Sequence, residues 1–150
     1  MPILEIGETV IFETLAATGY VDEAFDGPSL QPDDPAGRAA MRTWMGVCGD
    51  YLFRQVVRGI PRDRTPTDEE LSVADKALGR AESILGEEGA SDEEASFLVG
   101  EAPTLADLYL APQLANCREK APEILAEHPR LTGWLGTFEQ RPSFTATEPG

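Results

Sequence analysis

The stretch FLVGEAPTLADLYLAP, residues 97–112, contains a start signal for a helix. Thr104 has the side chain of a helix N-cap, and Asp107 follows three residues later, where its carboxylate can accept a hydrogen bond from the N–H of the cap residue. The negative charge of Asp107 also opposes the positive end of the helix dipole. We therefore predict a helix that begins at Thr104, with Thr104 and Asp107 as its structural cap.

Further helices are predicted on both sides of this stretch from apolar residues that recur every three or four positions. Asp34-Pro35 is typical of a helix start, and the helix from Pro35 to Val56 has the longest apolar stripe. A capping box at Thr67 and Glu70 starts the next helix. A short helix over 122–127 and a final helix follow. The expected buried residues are Met41, Trp44, Met45, Cys48, Leu52 and Val56, then Leu71, Ala74, Leu78, Ala81 and Leu85, and last Leu131, Trp134, Leu135 and Phe138.

The first fourteen residues, MPILEIGETVIFET, have a different pattern. Ile3 to Ile6 and Thr9 to Phe12 are two short, apolar, β-branched runs on either side of Gly7-Glu8, which is typical of a β-hairpin. A lone hairpin has open edges, so another segment is expected to pair with it or cover it. A short helix from Glu13 to Phe25 completes this segment.

These elements predict a mainly α fold in which a hairpin and one helix precede an all-helical bundle. We place the first segment at residues 1–27, a turn-rich linker at 28–35 and the helical domain at 36–150. The acidic stretch 86–96 is expected to be an exposed loop.

Composition excludes some classes of partner and site. The formal net charge of −15, from 12 basic and 27 acidic residues, argues against nucleic acid and anionic membranes, which carry the same sign. No apolar run approaches the ~18 residues of a membrane span, and we expect a cytoplasmic protein. Cys48 and Cys117 are far apart and His128 is the single histidine, so no metal site is predicted. We interpret both cysteines as small buried apolar residues, with a reactive thiol as the alternative.

Three stretches together resemble the glutathione S-transferase family. They are MPILEIGETVIFET, FLVGEAPTLADLYLAP and HPRLTGWLGTFEQRPSF, in that order and separation, and the resemblance extends to about Thr147. Its most specific parts are the cap inside G-x-x-P-T-L-A-D and the Trp134…Arg141-Pro142 ending.

The resemblance implies a thioredoxin-like N-terminal domain followed by an all-helical C-terminal domain. In that family a cis-Pro precedes the third strand, and Pro2 matches it. The chain is therefore expected to begin inside the first domain, with residues 1–27 as the end of it and a strand-helix-strand unit upstream. The Tyr, Ser or Cys that activates the glutathione thiol lies before the cis-Pro in the family, so no catalytic residue is assigned here.

The same resemblance implies that the matching residues Met1, Pro2, Glu13 and Thr14 bind glutathione. The family usually has Glu-Ser or Gln-Ser where this chain has Glu13-Thr14, and Thr14 keeps the hydroxyl. A helix that starts here offers N–H groups to a carboxylate, while the Glu13 carboxylate can accept hydrogen bonds from an ammonium group. Ordinary helix capping is the alternative interpretation of this pair.

For the electrophile, the resemblance directs attention to the helix from Pro35 to Val56, where Met45, Cys48, Tyr51 and Leu52 are candidate pocket residues. A stripe at helical spacing also fits plain core packing. The implied function is glutathione binding and, in an intact form, transfer of its thiol to small apolar electrophiles, with this chain alone inactive. A non-catalytic interaction or assembly module is the alternative. Family members often dimerise, so a homodimer is among the implied assemblies.

Overall fold

The structure, a computed structural model, describes residues 3–59, 64–85 and 97–147. Within these ranges a two-stranded hairpin precedes a series of helices, as the sequence predicts. The acidic stretch 86–96, Met1 and Pro2 lie outside the described residues. In chain order the elements are β1 (Ile3–Ile6), β2 (Thr9–Phe12), α1 (Thr14–Ala24), α2 (Pro35–Val47), a π-helix (Cys48–Val57), α3 (Asp68–Ile84), α4 (Leu105–Lys120), a 3₁₀ helix (Pro122–Leu125), α5 (Pro129–Glu139) and α6 (Pro142–Thr145).

The hairpin has the predicted strands and turn. β1 and β2 are antiparallel, with Leu4 opposite Ile11. Gly7 takes a φ of 60° in the turn, a conformation that favours glycine. Ile3, Val10 and Phe12 are 63%, 58% and 60% exposed, so one face of the hairpin has no cover among the described residues.

The segment between α1 and α2 is fixed by hydrogen bonds. The Asp22 carboxylate accepts a bond from the Leu30 N–H at 2.7 Å and one from Gln31 Nε2 at 3.1 Å. The Leu30 carbonyl in turn accepts a bond from the Leu105 N–H at 3.0 Å. The segment 28–35 is therefore hydrogen-bonded both to α1 and to the first residue of α4.

The helix predicted from Pro35 to Val56 changes its geometry at Cys48. It starts as expected, with the Asp34 carboxylate accepting from the Gly37 N–H at 2.9 Å. From Cys48 to Val57 it is a π-helix, in which each N–H bonds the carbonyl five residues earlier. Cys48, Leu52 and Val56 stay buried, because side chains four residues apart still lie near one another on this wider helix.

The core lies between the π-helix, α3, α4 and α5. It includes most residues of the three predicted stripes, while Leu71 is only partly buried and packs against them. Trp134 and Phe138 on α5 contact each other with ring centroids 4.4 Å apart. The buried apolar residues are Met41, Trp44, Met45, Cys48, Leu52, Val56, Val57, Ala74, Leu78, Ala81, Leu85, Leu98, Leu105, Ala106, Leu110, Ala111, Leu114, Cys117, Ala121, Ile124, Leu125, Leu131, Trp134, Leu135 and Phe138.

The N-termini of α3 and α5 are both capped by a carboxylate, which comes from the same helix at α3 and from another helix at α5. The predicted capping box of α3 is present, and the Glu70 carboxylate accepts bonds from the Thr67 N–H and from Arg64. The guanidinium of Arg64, followed by the Thr67 N–H, lowers the pKa of Glu70 to about 2. At α5 the cap comes from another helix, because Glu82 on α3 accepts from the N–H groups of Arg130 and Leu131 at 2.9 and 2.8 Å.

Candidate functional site

Glu13, just before α1, has an unusual backbone conformation. Its φ is 70° and its ψ is 129°, and it is the only non-glycine residue with positive φ in residues 3–59, 64–85 and 97–147. Such a conformation costs about 1–3 kcal/mol for a residue with a Cβ. The Glu13 side chain is exposed and does not cap the helix. The chain therefore carries backbone strain at this position without a visible gain in helix capping.

Thr14 begins α1 beside Glu13. The first N–H groups of a helix have no acceptor within it, and they stand at the positive end of its dipole. The first turn of α1 has no acidic residue. Both Glu13 and Thr14 are exposed, and their side chains have no hydrogen-bond partner among the described residues. A carboxylate at the first turn and an ammonium group at Glu13 can therefore be accommodated together.

α1 also contacts α4 through side chains. The hydroxyl oxygens of Thr18 and Tyr109 are 3.3 Å apart. The Thr18 hydroxyl donates to the Thr14 carbonyl at 2.8 Å. The sequence patterns did not predict this contact. The signal for it was weak, because a hydroxyl on a half-buried aromatic ring needs some partner but does not identify one.

A cavity of about 360 Å³ lies between α1 and α2. Its wall combines apolar side chains of both helices with a few polar ones. The lining residues are Ile11, Leu15, Ala16, Gly19, Tyr20, Glu23, Gln31, Met41, Arg42, Met45 and Leu105.

The four candidate residues for an electrophile pocket are not brought together. Met45 is buried and borders the cavity next to α1, while Cys48 and Leu52 are core residues, 0% and 1% exposed, that line neither this cavity nor the groove beside Tyr51. Tyr51 is 51% exposed and lines a separate groove of about 750 Å³ between α2, the π-helix and α3. The separation arises because Cys48 and Leu52 point into the core while Tyr51, on the same helix, points away from it.

Both cysteines have environments that suppress ionisation. Burial raises the pKa of Cys48 to about 12, and the nearby Asp107 carboxylate adds to the effect. Burial likewise raises the pKa of Cys117 to about 12. The thiolate is the reactive form of cysteine, so neither thiol is placed to act as a nucleophile near neutral pH.

The buried carboxylate of Asp107 accepts three hydrogen bonds. It accepts from the Thr104 N–H at 2.7 Å, from the Thr104 hydroxyl at 2.9 Å and from the Leu98 N–H at 2.9 Å. Its side chain is 0% exposed, and burial raises the pKa of Asp107 while the three donated bonds oppose the rise. The Leu98 bond lies outside the predicted cap. Asp107 thus joins the start of α4 to the segment before it and has a structural role.

The part of the chain that the structure describes shows no group of three or more His, Cys, Asp or Glu side chains that could hold a metal ion. No helix in the same ranges is long and apolar enough to cross a membrane.

Comparison with known proteins places this architecture in a family. The profile of the family "Glutathione S-transferase, C-terminal domain" matches residues 45–142, which include the π-helix, α3, α4 and α5. Glutathione S-transferase F14 of Arabidopsis thaliana is 30% identical over 98% of this chain and 62% of its own length. Probable maleylacetoacetate isomerase 1 of Drosophila melanogaster is 27% identical over 99% of this chain and 59% of its own length. The chain thus spans about three fifths of the length of these two relatives.

Solved structures show the same fold. A glutathione S-transferase from Methylobacillus flagellatus with glutathione bound superposes with a TM-score of 0.81 at 20% identity, over 100% of this chain and 76% of that one. A glutathione S-transferase domain-containing protein from Marinobacter aquaeolei superposes with a TM-score of 0.74 at 25% identity, over 96% of this chain and 74% of that one. The fold and the family profile agree with the resemblance in the three sequence stretches, and the chain belongs to the glutathione S-transferase family.

Proposed function

We propose that the protein binds glutathione at the N-terminus of α1, through Glu13 and Thr14. In this proposal the N–H groups of the first turn bind the γ-glutamyl carboxylate, and the Glu13 carboxylate accepts hydrogen bonds from the neighbouring ammonium group. Met1 and Pro2, outside the described residues, complete the proposed site. The solved relative from Methylobacillus flagellatus, which has glutathione bound, supports this choice of ligand.

The observation that carries the proposal is the positive φ of Glu13. Glycine would adopt this conformation without strain, so the presence of a charged side chain suggests that the side chain itself is needed. Ordinary capping explains the pair less well, because the Glu13 side chain makes no cap hydrogen bond and the Thr14 hydroxyl has no partner among the described residues. A ligand would use both groups.

Replacing Glu13 should weaken glutathione binding without weakening the fold. Hydrogen bonds to charged groups contribute roughly 1.5–3 kcal/mol, so Glu13→Gln should raise the Kd for glutathione about ten- to a hundredfold. Glu13→Gly should lose affinity in the same way while its free energy of unfolding stays equal or rises, since glycine removes the strain. Isothermal titration calorimetry and urea denaturation measure the two quantities.

Glu8→Gln is the matched control, because Glu8 is an exposed acid in the hairpin turn and its replacement changes the net charge equally. It should bind as the wild type does. Equal affinity of the wild type and Glu13→Gln would contradict the proposed site. If the wild type itself does not bind glutathione, the alternative of a non-catalytic interaction module takes the place of this proposal.

For catalysis, we propose that an intact form transfers the glutathione thiol to small apolar electrophiles. The cavity beside Met45 is adjacent to α1, and the groove beside Tyr51 is the larger concave surface, so these are the two candidate places for an electrophile. We also propose that residues 1–27 are the end of a thioredoxin-like domain, that 28–35 connect it to the helical domain at 36–150, and that the protein is cytoplasmic.

The 150-residue chain by itself should not accelerate conjugation of glutathione to a generic aromatic electrophile. In the family that the sequence resembles, the thiol-activating residue comes before the position of Pro2, and the buried thiols of Cys48 and Cys117 cannot replace it. An absorbance assay should give the rate of the uncatalysed reaction. Saturable activity that disappears when one residue of this chain is changed would show the prediction to be wrong.

A further inference from the structure

Tyr109, Thr18 and Thr14 form a hydrogen-bonded relay between α4 and the start of α1. The Thr18 hydroxyl lies 2.8 Å from the Thr14 carbonyl and 3.3 Å from the Tyr109 hydroxyl. A hydroxyl has a single proton to donate, and a carbonyl can only accept. Thr18 therefore donates to the Thr14 carbonyl, with the Leu15 carbonyl as a longer second acceptor at 3.3 Å, and accepts from Tyr109. Burial raises the pKa of Tyr109, although the Thr18 bond lowers it, so the phenol keeps its proton at neutral pH.

α1 depends on such polar contacts for its position. It has 11 residues, none of them fully buried, and helices shorter than about 12–15 residues are marginal without packing. Leu15 and Val21, two of its large apolar side chains, are 48% and 46% exposed. Its C-terminal half is held by Asp22, which accepts from the Leu30 N–H at 2.7 Å. The relay holds its N-terminal half, which carries the proposed glutathione site.

We propose that Tyr109 is a positioning residue for glutathione binding, which it supports through Thr18 by fixing the first turn of α1 against the helical domain. This proposal rests on the proposed function. Tyr109 need not touch the ligand. Without its hydroxyl, the first-turn N–H groups and Glu13 are free to sample more orientations, and binding then has to restrict them again.

Substitutions that remove single hydroxyls test the relay. Tyr109→Phe and Thr18→Val should each weaken glutathione binding about three- to tenfold, and the double variant should lose no more than either one, because both break the same relay. Thr18→Ser keeps the hydroxyl and should restore wild-type affinity. Thr132→Val is the matched control, since the Thr132 hydroxyl on α5 likewise donates to the carbonyl four residues earlier, that of His128 at 3.1 Å, but lies in neither of the two concave surfaces. It should bind as the wild type does.

A second readout separates positioning from general destabilisation. In Tyr109→Phe, hydrogen exchange should become faster for the amides of α1 while those of α3 and α4 keep their protection. Wild-type affinity in Tyr109→Phe, or lower affinity with unchanged exchange in α1, would overturn the positioning role while the proposed function stands. If the wild-type protein does not bind glutathione, the proposed function fails and the role of Tyr109 fails with it.

Discussion

Replacing Asp107 by Ala should lower the free energy of unfolding by on the order of 3 kcal/mol, because it removes the acceptor of two buried N–H groups and each buried donor without a partner costs about 1–3 kcal/mol. The N–H groups are those of Leu98 and Thr104, and the Asp107 side chain is 0% exposed. Urea denaturation of the variant and the wild type measures the loss.

Glu70→Ala is the matched control for this substitution. Glu70 has the same place in the capping box of α3, but that box is exposed, so its backbone N–H groups can bond to water. The loss should be clearly smaller than that of Asp107→Ala. Asp107→Asn should be intermediate, since the amide oxygen can keep one of the two N–H bonds while its NH₂ group faces the other donor.

Thr104→Ala should cost about 1 kcal/mol, and adding it to Asp107→Ala should cost less than the sum of the two losses, since both residues belong to one cap. Strictly additive losses would show that they stabilise the helix independently. Equal losses for Asp107→Ala and Glu70→Ala would show that burial of Asp107 has no energetic role.

Neither cysteine should react with a thiol reagent in the folded protein. Burial raises the pKa of both thiols to about 12 from an ordinary 9.0, which lowers the thiolate fraction at pH 8 about a thousandfold. Labelling with an aromatic disulfide, followed by absorbance, should therefore be at least about a thousandfold slower than for an accessible thiol. In denaturant, both Cys48 and Cys117 should react fully.

Ser72→Cys supplies the accessible thiol for comparison, because Ser72 is exposed on α3. One equivalent should react rapidly in this variant, and none in the wild type. Rapid reaction of one equivalent in the wild-type protein would contradict the buried environment. It would restore the alternative of a reactive thiol that the sequence left open.

Local sequence patterns predicted most of the secondary structure. Gly7-Glu8 between two β-branched runs gave the hairpin, and the four apolar residues predicted for the helix now seen as α5, Leu131 among them, are all buried as expected. Such patterns succeed because they report interactions between residues a few positions apart. The π-helix from Cys48 was not predicted, since buried residues four positions apart fit an α-helix equally well.

The candidate site was only partly predictable. The sequence singled out Glu13 and Thr14, but it gave no sign that a glutamate would take positive φ, which is a conformation that glycine usually supplies. It also grouped Tyr51 with Cys48, because helical spacing alone does not tell which face meets the core and which borders a groove.

The sequence by itself determined the hairpin, the positions of most helices, the caps at Thr67 and Thr104 and the family. Tertiary structure alone decided which distant groups meet, such as Tyr109 with Thr18 across 91 positions and the Leu131 N–H with Glu82 across 49. The physical reason is that caps and apolar stripes are encoded by neighbours within one or two turns. Contacts between distant residues depend on how whole helices pack, and a single polar side chain does not specify its partner until that packing is fixed.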